Sequence, residues 1–366
     1  MIAPSRTAPQ PASQQSSSAA AASRHVRQVG INPKHWYAVA QSAELGAQPL
    51  EVAIWHQSIV LYRDRRGQVQ ALENRCPHRN VRLSHGQVVG DRLACAYHGW
   101  QMDGTGHCVH VPYLGDRQKL PTCRLRTYLV REQDGFIWLF PGAADPTPAI
   151  EPMGLPEWNH LNYIASYAVI DVQAHYSYVI ENLMDMYHGH LHQTHQAWAD
   201  PVLQSMTHGR DRVDAHYQAQ SYYRIDKIWS VGQLFIPALR QLHPEPLDVS
   251  YIYPHWTSRL GDDFKLYCLF CPINEHQTKA YLVHFTSLNA FHDLHKLPIP
   301  FRRWVKQRLF NTARGLLTRL IEQDTLMMED EQRFYDQGSD RRNIELNPAL
   351  AQVQRLIMAQ AAFQEP

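Results

Sequence analysis

Two cysteines and two histidines lie in two short clusters in the stretch CPHRNVRLSHGQVVGDRLACAYHGW, residues 76–100. One residue separates Cys76 from His78, and two separate Cys95 from His98. Thiolates and imidazoles are the donors with which proteins bind zinc and iron–sulfur centres. The residue types and their spacing therefore predict that these four side chains hold a metal centre.

Tetrahedral zinc is one interpretation of this donor set, but the spacing favours iron. Paired zinc ligands are usually separated by about two to four residues, whereas a single residue lies between Cys76 and His78. Two loops that each supply one thiolate and one imidazole suit a two-iron cluster, in which one iron takes both thiolates and the other takes both imidazoles. We therefore predict a [2Fe-2S] cluster at this site.

A second concentration of possible ligands lies in the stretch ENLMDMYHGHLHQTH. On a continuous helix, Asp185, His188 and His192 would project from one face, because residues three and four apart are neighbours there. Mononuclear iron that activates oxygen is commonly held by two histidines and one carboxylate. The pattern predicts His188 and His192 as ligands of such an iron, and His190 and His195 stay open as alternatives.

The elements that must position these side chains fall into two parts. Over residues 35–145, short apolar runs separated by Gly, Asp and Asn predict an all-β domain around the first site. Residues 146–366 follow a proline-rich stretch and mix strand-like runs with helical segments, which predicts an α+β domain with an antiparallel sheet flanked by helices. Residues 1–34, rich in Ser, Ala, Gln and Pro, are predicted to be a disordered tail.

Composition and charge narrow the class of protein. A formal net charge of +1, from 35 basic and 34 acidic residues, gives no field that would attract nucleic acid. No run of about 20 apolar residues is present, so no membrane span is expected. Six cysteines are too few for a disulfide framework, and we expect a cytoplasmic protein. The plastid stroma is the alternative, because no acidic residue precedes Glu44 and the tail then resembles a transit peptide.

Three segments of the first half, CPHR, GQVVGDRLACAYHGW and DGTGHC, resemble the Rieske [2Fe-2S] domain of Rieske-type non-haem iron oxygenases. The segment NLMDMYHGHLH resembles the iron-binding segment of their catalytic domains. The likeness departs at Asn80, where glycine is common, and at Ala96, where many relatives have proline. This chain has three residues between His188 and His192, where most relatives have four.

The resemblance identifies the chain as a catalytic α subunit of this family, closer in layout to vanillate O-demethylase than to the membrane-bound pheophorbide a oxygenase. It implies a third iron ligand far downstream, in the stretch LIEQDTLMMEDEQRFYD. Asp324 stands where the family places its facial carboxylate, and Glu322, Glu329 and Asp330 are its rivals.

The resemblance also implies a route for electrons. In a head-to-tail homotrimer, the cluster of one subunit faces the iron of the next, and a carboxylate connects a cluster histidine to an iron histidine. Asp185 is the candidate for that carboxylate, with His98 as its cluster-side partner and Asn182 as a further catalytic residue. In the alternative, Asp185 only orients His188 within its own subunit.

The implied activity is that of a terminal oxygenase component, which uses O2 and electrons from NAD(P)H to hydroxylate or demethylate a small aromatic or heterocyclic substrate. A separate reductase or ferredoxin is the expected partner, because the chain contains no GxGxxG fingerprint for a dinucleotide. The alternative is a Rieske protein that transfers electrons without oxygenase activity.

Overall fold

A computed structural model of the protein describes residues 25–115, 118–143, 150–192, 198–222, 239, 241–291, 294–338 and 344–363. Small antiparallel sheets occupy the N-terminal part of the chain. One large antiparallel sheet, with helices packed against it, occupies the remainder. The predicted α+β class is confirmed.

Three small antiparallel sheets make up the N-terminal part. Their strands, in the order in which they lie side by side, are β1 (Tyr37–Gln41), β10 (Phe136–Phe140) and β9 (Leu129–Gln133); β2 (Leu50–Ile54), β3 (Gln57–Arg63) and β4 (Val69–Glu73); and β5 (Gln87–Val89), β6 (Arg92–Ala94), β7 (Gln101–Met102) and β8 (Cys108–His110). The loop with Cys76 and His78 follows β4, and the loop with Cys95 and His98 joins β6 to β7. Both predicted ligand pairs therefore lie in loops carried by short strands.

A seven-stranded antiparallel sheet is the centre of the C-terminal part. Its strands, in spatial order, are β11 (Tyr163–Val172), β17 (Gln277–Ser287), β16 (Phe264–Asn274), β15 (His255–Leu260), β14 (His243–Ile252), β13 (Arg212–Ser221) and β12 (Trp198–His208). The helices α1 (Tyr176–Met184), α2 (Ile299–Asp336) and α3 (Pro348–Ala361) share its hydrophobic core. Among the residues that the structure describes, no helix has the length and apolar character needed to cross a membrane.

The two faces of the large sheet have different neighbours. On β17, the ring of Tyr281 packs against Phe136, and its hydroxyl donates to the carbonyl of Val39, 3.3 Å away. Thr278, three positions earlier and so on the opposite face, donates to the carbonyl of Ala174 just before α1, 2.8 Å away. The small sheets therefore pack on one face of the large sheet, and α1 packs on the other.

Residues 25–34 are folded, so the prediction of a disordered tail is wrong for this segment. The short 3-10 helix Val26–Gln28 places Arg27 against α1. Its guanidinium donates to both carboxylate oxygens of Glu181, at 2.6 and 2.7 Å, and also to the hydroxyl of Ser177. Composition could not reveal a single buried arginine whose partner lies 154 positions away.

Candidate metal centres

Two loops with the same backbone hydrogen bond present the four predicted cluster ligands. The amide of Asn80 donates to the carbonyl of Cys76 at 2.8 Å, and the amide of Gly99 donates to the carbonyl of Cys95 at 3.0 Å. Asn80 and Gly99 both have positive φ, at 55° and 70°. Glycine adopts this conformation freely, and asparagine tolerates it better than most residues. Asn80 therefore preserves the loop although it departs from the common glycine.

The loops bring the four predicted side chains to one end of the N-terminal part. Cys76 and Cys95 are buried in one hydrophobic cluster. The ring centroids of His78 and His98 are 4.5 Å apart. The indole of Trp100 stacks on His78 at 4.7 Å, with the two planes only 2° from parallel, and so fixes the orientation of that imidazole.

The donor atoms of these loops fit a metal cluster. Nδ1 of His78 is buried and has no hydrogen-bond partner in the described part of the chain, whereas buried polar atoms are normally paired with another group. Burial raises the pKa of the Cys76 thiol to about 11, so a thiolate at this position requires a nearby cation. A [2Fe-2S] cluster would supply that cation and would use the free imidazole nitrogen.

The predicted continuous helix through Asp185, His188 and His192 is wrong. The helix α1 ends at Met184, Asp185 has an extended backbone, and a 3-10 helix follows at Met186–His192. A local hydrogen bond explains the break: Oδ1 of Asp185 accepts from the amide of Tyr187 at 3.2 Å. Such side-chain contacts compete with helical hydrogen bonds.

His188, His192 and Asp324 nevertheless form a cluster of possible metal ligands. Nε2 of His192 lies 2.9 Å from Oδ1 of Asp324, and Nε2 of His188 lies 3.9 Å from the same oxygen. One ligand atom from each residue falls within a mutual distance of 4.8 Å. The side chain of His192 is buried, whereas those of His188 and Asp324 are 20% and 17% exposed. The cluster is therefore closed on the His192 side and more open on the other.

The second ring nitrogen of each histidine is held by an oxygen atom. Nδ1 of His188 donates to the main-chain carbonyl of Asp185, and Nδ1 of His192 lies 2.8 Å from the side-chain oxygen of Gln323. In a neutral imidazole, Nε2 then carries a lone pair, and both Nε2 atoms face the carboxylate of Asp324. Acceptors that face one another need a cation between them, so this arrangement fits Fe(II) held by two histidines and one carboxylate.

Asp324 affects the two histidines differently. Burial lowers the pKa of His188 and outweighs the attraction of Asp324. Burial also lowers the pKa of His192, but the hydrogen bond and charge of Asp324 outweigh it, so that the pKa of His192 is raised. Metals bind neutral imidazole. A metal ion bound here would therefore compete with a proton at His192 more than at His188.

The rival carboxylates have other environments. Glu329 accepts a hydrogen bond from a main-chain amide just before α1, at 2.9 Å. Asp330 pairs with Arg333 at 2.8 Å, and Glu322 is exposed. Among the described residues, none of these three carboxylates belongs to a cluster of three possible ligands. The geometry favours Asp324.

The predicted catalytic residues Asp185 and Asn182 lie at the end of α1. The carboxylate of Asp185 was predicted to accept a hydrogen bond from the iron histidine, but His188 bonds to the main-chain carbonyl instead. Oδ1 of Asp185 accepts from the side-chain amide of Asn347, 3.1 Å away. Asn182 is half-buried near the end of α1, and its carbonyl accepts from the amide of Asp185 at 3.3 Å.

Sequence reasoning missed Gln323 and Asn347. The only signal for Gln323 is that it directly precedes Asp324, and the only signal for Asn347 is the Asn-Pro pair that begins a helix. His195 and the side chain of His190, the open alternatives for the iron, lie outside the described residues.

Comparisons with known proteins identify a domain and a family. The family profile of the Rieske [2Fe-2S] domain matches residues 35–128. The chain is 34% identical over 351 residues to the 4beta-methylsterol monooxygenase of Methylococcus capsulatus, and the match covers 91% of this chain and 89% of that protein. It is 36% identical over 167 residues to the oxygenase component of dicamba O-demethylase from Stenotrophomonas maltophilia, which covers 44% and 47% of the two chains.

The fold matches as well. The crystal structure of dicamba monooxygenase bound to dicamba superposes with a TM-score of 0.72 at 22% identity, over 91% of this chain and 98% of that one. A monooxygenase matched over nearly its whole length supports an oxygenase rather than a simple electron carrier. The chain therefore belongs to the Rieske-type non-haem iron oxygenases, enzymes that combine a [2Fe-2S] cluster with a mononuclear iron and receive NAD(P)H electrons through a separate reductase or ferredoxin.

Proposed function

We propose that residues 35–145 form the cluster domain and residues 146–366 the catalytic domain of this oxygenase, with the metal ligands predicted from the sequence. These are Cys76, His78, Cys95 and His98 for the cluster, and His188, His192 and Asp324 for the iron. The observation that carries the iron site is the convergence of His188 and His192 on the carboxylate of Asp324.

When bound, the iron supplies the reductive activation of O2, using electrons that pass through the cluster. The residues of the chain hold and orient the metal. Gln323 fixes the buried ring of His192, and the carbonyl of Asp185 fixes the ring of His188. Two histidines and one carboxylate occupy one side of a metal and leave positions for O2 and a nearby substrate. The partly exposed side of His188 and Asp324 is where these would enter.

A head-to-tail homotrimer is part of the proposal. The small sheets and α1 lie on opposite faces of the large sheet, which therefore stands between the cluster and the iron of one chain. Transfer between subunits avoids this barrier, through a heterologous interface that closes into a ring. Tyr97 and Tyr113 near the cluster and Tyr187 near the iron are exposed, and aromatic residues are enriched in protein interfaces.

The proposed substrate is a neutral, largely apolar ring compound with a methyl group. Cross-strand partners share a face of the sheet. The face on which α1 packs therefore carries one row of neighbouring side chains across five strands: Ser166, His284, Leu266, Ser258 and Val249. Within the described strands β11 and β13–β17, no helix-facing position holds Lys or Arg, so these strands offer no ammonium or guanidinium group to an organic acid. One relative matched over most of its length is the 4beta-methylsterol monooxygenase of Methylococcus capsulatus.

A reducing compartment such as the cytoplasm is the proposed location. None of the six cysteines forms a disulfide in the structure. Thiolate ligands persist where thiols are kept reduced.

A substrate panel with a surrogate reductase tests the function. We expect O2 consumption and NAD(P)H oxidation that depend on substrate, with higher kcat/KM for 4-methylsterols than for vanillate, dicamba or toluene-4-sulfonate. Preference for one of the aromatic acids would overturn the proposed substrate class. The protein should be tested with both metals bound. If neither the neutral nor the acidic compounds then stimulated O2 uptake, the result would count against the proposed function.

A further inference from the structure

Asn347 lies where three structural elements meet. Its Nδ2 donates to Oδ1 of Asp185 at the end of α1 and to the hydroxyl of Tyr217 on β13, both at 3.1 Å. Its Oδ1 accepts from the amide of Ala349 at 3.0 Å and so caps the first turn of α3. The residue is only 2% exposed. A single buried side chain thus connects α1, the large sheet and α3.

The end of α1 that Asn347 contacts leads directly to a predicted iron ligand. The carbonyl of Asp185 accepts from Nδ1 of His188, and the side chain of Asp185 forms the turn that ends α1. Tyr217, the other partner of Asn347, donates to the carbonyl of Met184 at 3.3 Å. Tyr217 therefore holds Met184, the last residue of α1, and Asn347 holds Asp185, the residue that follows it.

We propose that Asn347 is a positioning residue for the mononuclear iron site. By fixing the carboxylate of Asp185, it keeps the carbonyl of that residue where it orients His188 with Nε2 toward Asp324. The inference rests on the proposed function, because it requires His188 to be an iron ligand. Groups that orient a metal-bound histidine typically contribute about 10–100-fold to metal affinity.

Two substitutions separate positioning from helix capping. Asn347→Ser and Asn347→Asp both keep an oxygen that can cap α3, since Ser and Asp are good N-cap residues. Both remove the N–H donor to Asp185. Asn347→Asp also adds a negative charge, which by itself would attract a cation, so weaker metal binding in that variant reports a change of geometry.

The measurement is calorimetric titration with Co²⁺ of the full chain, with its cluster intact and the mononuclear iron removed. We expect both variants to bind Co²⁺ about 10-fold or more weakly than the unsubstituted chain, with an unchanged cluster spectrum. Asn32→Ser is the matched control. Asn32 is also buried and also bonds to α3, donating to Gln360 at 2.8 Å near the far end of that helix, and its loss should leave Co²⁺ affinity unchanged.

A double variant tests whether Asn347 acts through Asp185. In Asp185→Ala protein, Asn347→Ser should cause no further loss of Co²⁺ affinity, and an equal loss there would overturn the inference. Wild-type affinity in both Asn347 variants, with Co²⁺ binding abolished by His192→Ala, would overturn the inference and leave the proposed iron site standing. Normal Co²⁺ binding by His192→Ala would overturn both.

Discussion

Nε2 of His192 lies 2.9 Å from Oδ1 of Asp324, although the two residues are 132 positions apart in the chain. His192 ends the 3-10 segment that follows α1, and Asp324 lies in α2. The contact exists because α2 packs against α1 and β11. The proposed iron site therefore results from tertiary packing, and its integrity would depend on the docking of α2.

Cys95→Ser is expected to destroy the cluster. Serine is a poor substitute for a thiolate ligand of iron, so the visible absorption and most of the acid-labile sulfide should be lost. Cys123→Ser changes a half-buried cysteine of the same domain and is the control, which should keep both. Full colour and sulfide in Cys95→Ser would remove Cys95 from the ligand set.

Asp185→Asn distinguishes two roles for this residue. The substitution keeps the shape and an oxygen that can accept from Asn347, but it removes the negative charge. If that charge connects the cluster of one subunit to the iron of the next, both metals should stay bound while single-turnover oxidation of the reduced cluster by O2 and substrate slows about 10–100-fold. Normal turnover, or full activity of a monomer in solution, would show that electrons take another route.

The prediction of the cluster site needed only local patterns in the sequence, because all four of its proposed ligands lie in one short stretch. The prediction of Asp324 as the third iron ligand needed the family resemblance, since no local feature separates it from Glu322. The predicted helix through His192 failed because the side chain of Asp185 bonds to the amide of Tyr187, and periodicity does not register such a turn.

Arg27→Met should destabilise the fold strongly. The side chains of Arg27 and Glu181 are 4% and 12% exposed, so the substitution leaves a carboxylate buried without its main counter-charge. We expect the free energy of unfolding, measured by denaturant titration, to fall by about 3–5 kcal/mol. The double variant Arg27→Met, Glu181→Leu should recover part of this loss. A change below about 1 kcal/mol in the single variant would mean that residues 25–34 contribute little to the fold.

Buried histidines should make the protein sensitive to acid. Burial lowers the pKa of His255 from its usual value near 6.5 to about 3, and its Nε2 donates to the carbonyl of Trp36 while Nδ1 accepts from the amide of Phe270. The unfolded chain binds a proton at His255 more readily than the folded chain does. The contribution of neutral His255 to stability is therefore complete above pH 6.5 and is lost as the pH drops toward 3.

Protonation of His255 in the unfolded chain is expected to lower the free energy of unfolding by up to about 1.4 kcal/mol for each unit by which the pH falls. The free energy of unfolding, measured between pH 7 and pH 4, should fall less steeply in His255→Gln than in the unsubstituted chain. His208→Gln, which replaces an exposed histidine, is the matched control. Identical slopes in His255→Gln and the unsubstituted chain would show that His255 does not contribute.

The sequence did not predict the long-range contacts between side chains. Arg27 meets Glu181 and Asn347 meets Asp185, and each pair is separated by more than a hundred positions. Residues of these types occur throughout the chain, so only the packed fold shows which of them are partners.

His192→Ala tests the central claim most directly, that a mononuclear iron site is built by residues separate from the cluster. Iron and sulfide analysis, a visible spectrum and substrate-dependent O2 consumption should be measured together, with Glu322→Gln as the control for a carboxylate outside the site. The unsubstituted chain should contain about three irons and about two sulfides. His192→Ala should keep the cluster spectrum and the sulfide, lose about one iron, and consume no O2 with substrate. A variant that kept all its iron and its activity, or that lost its iron together with its colour, would contradict the account.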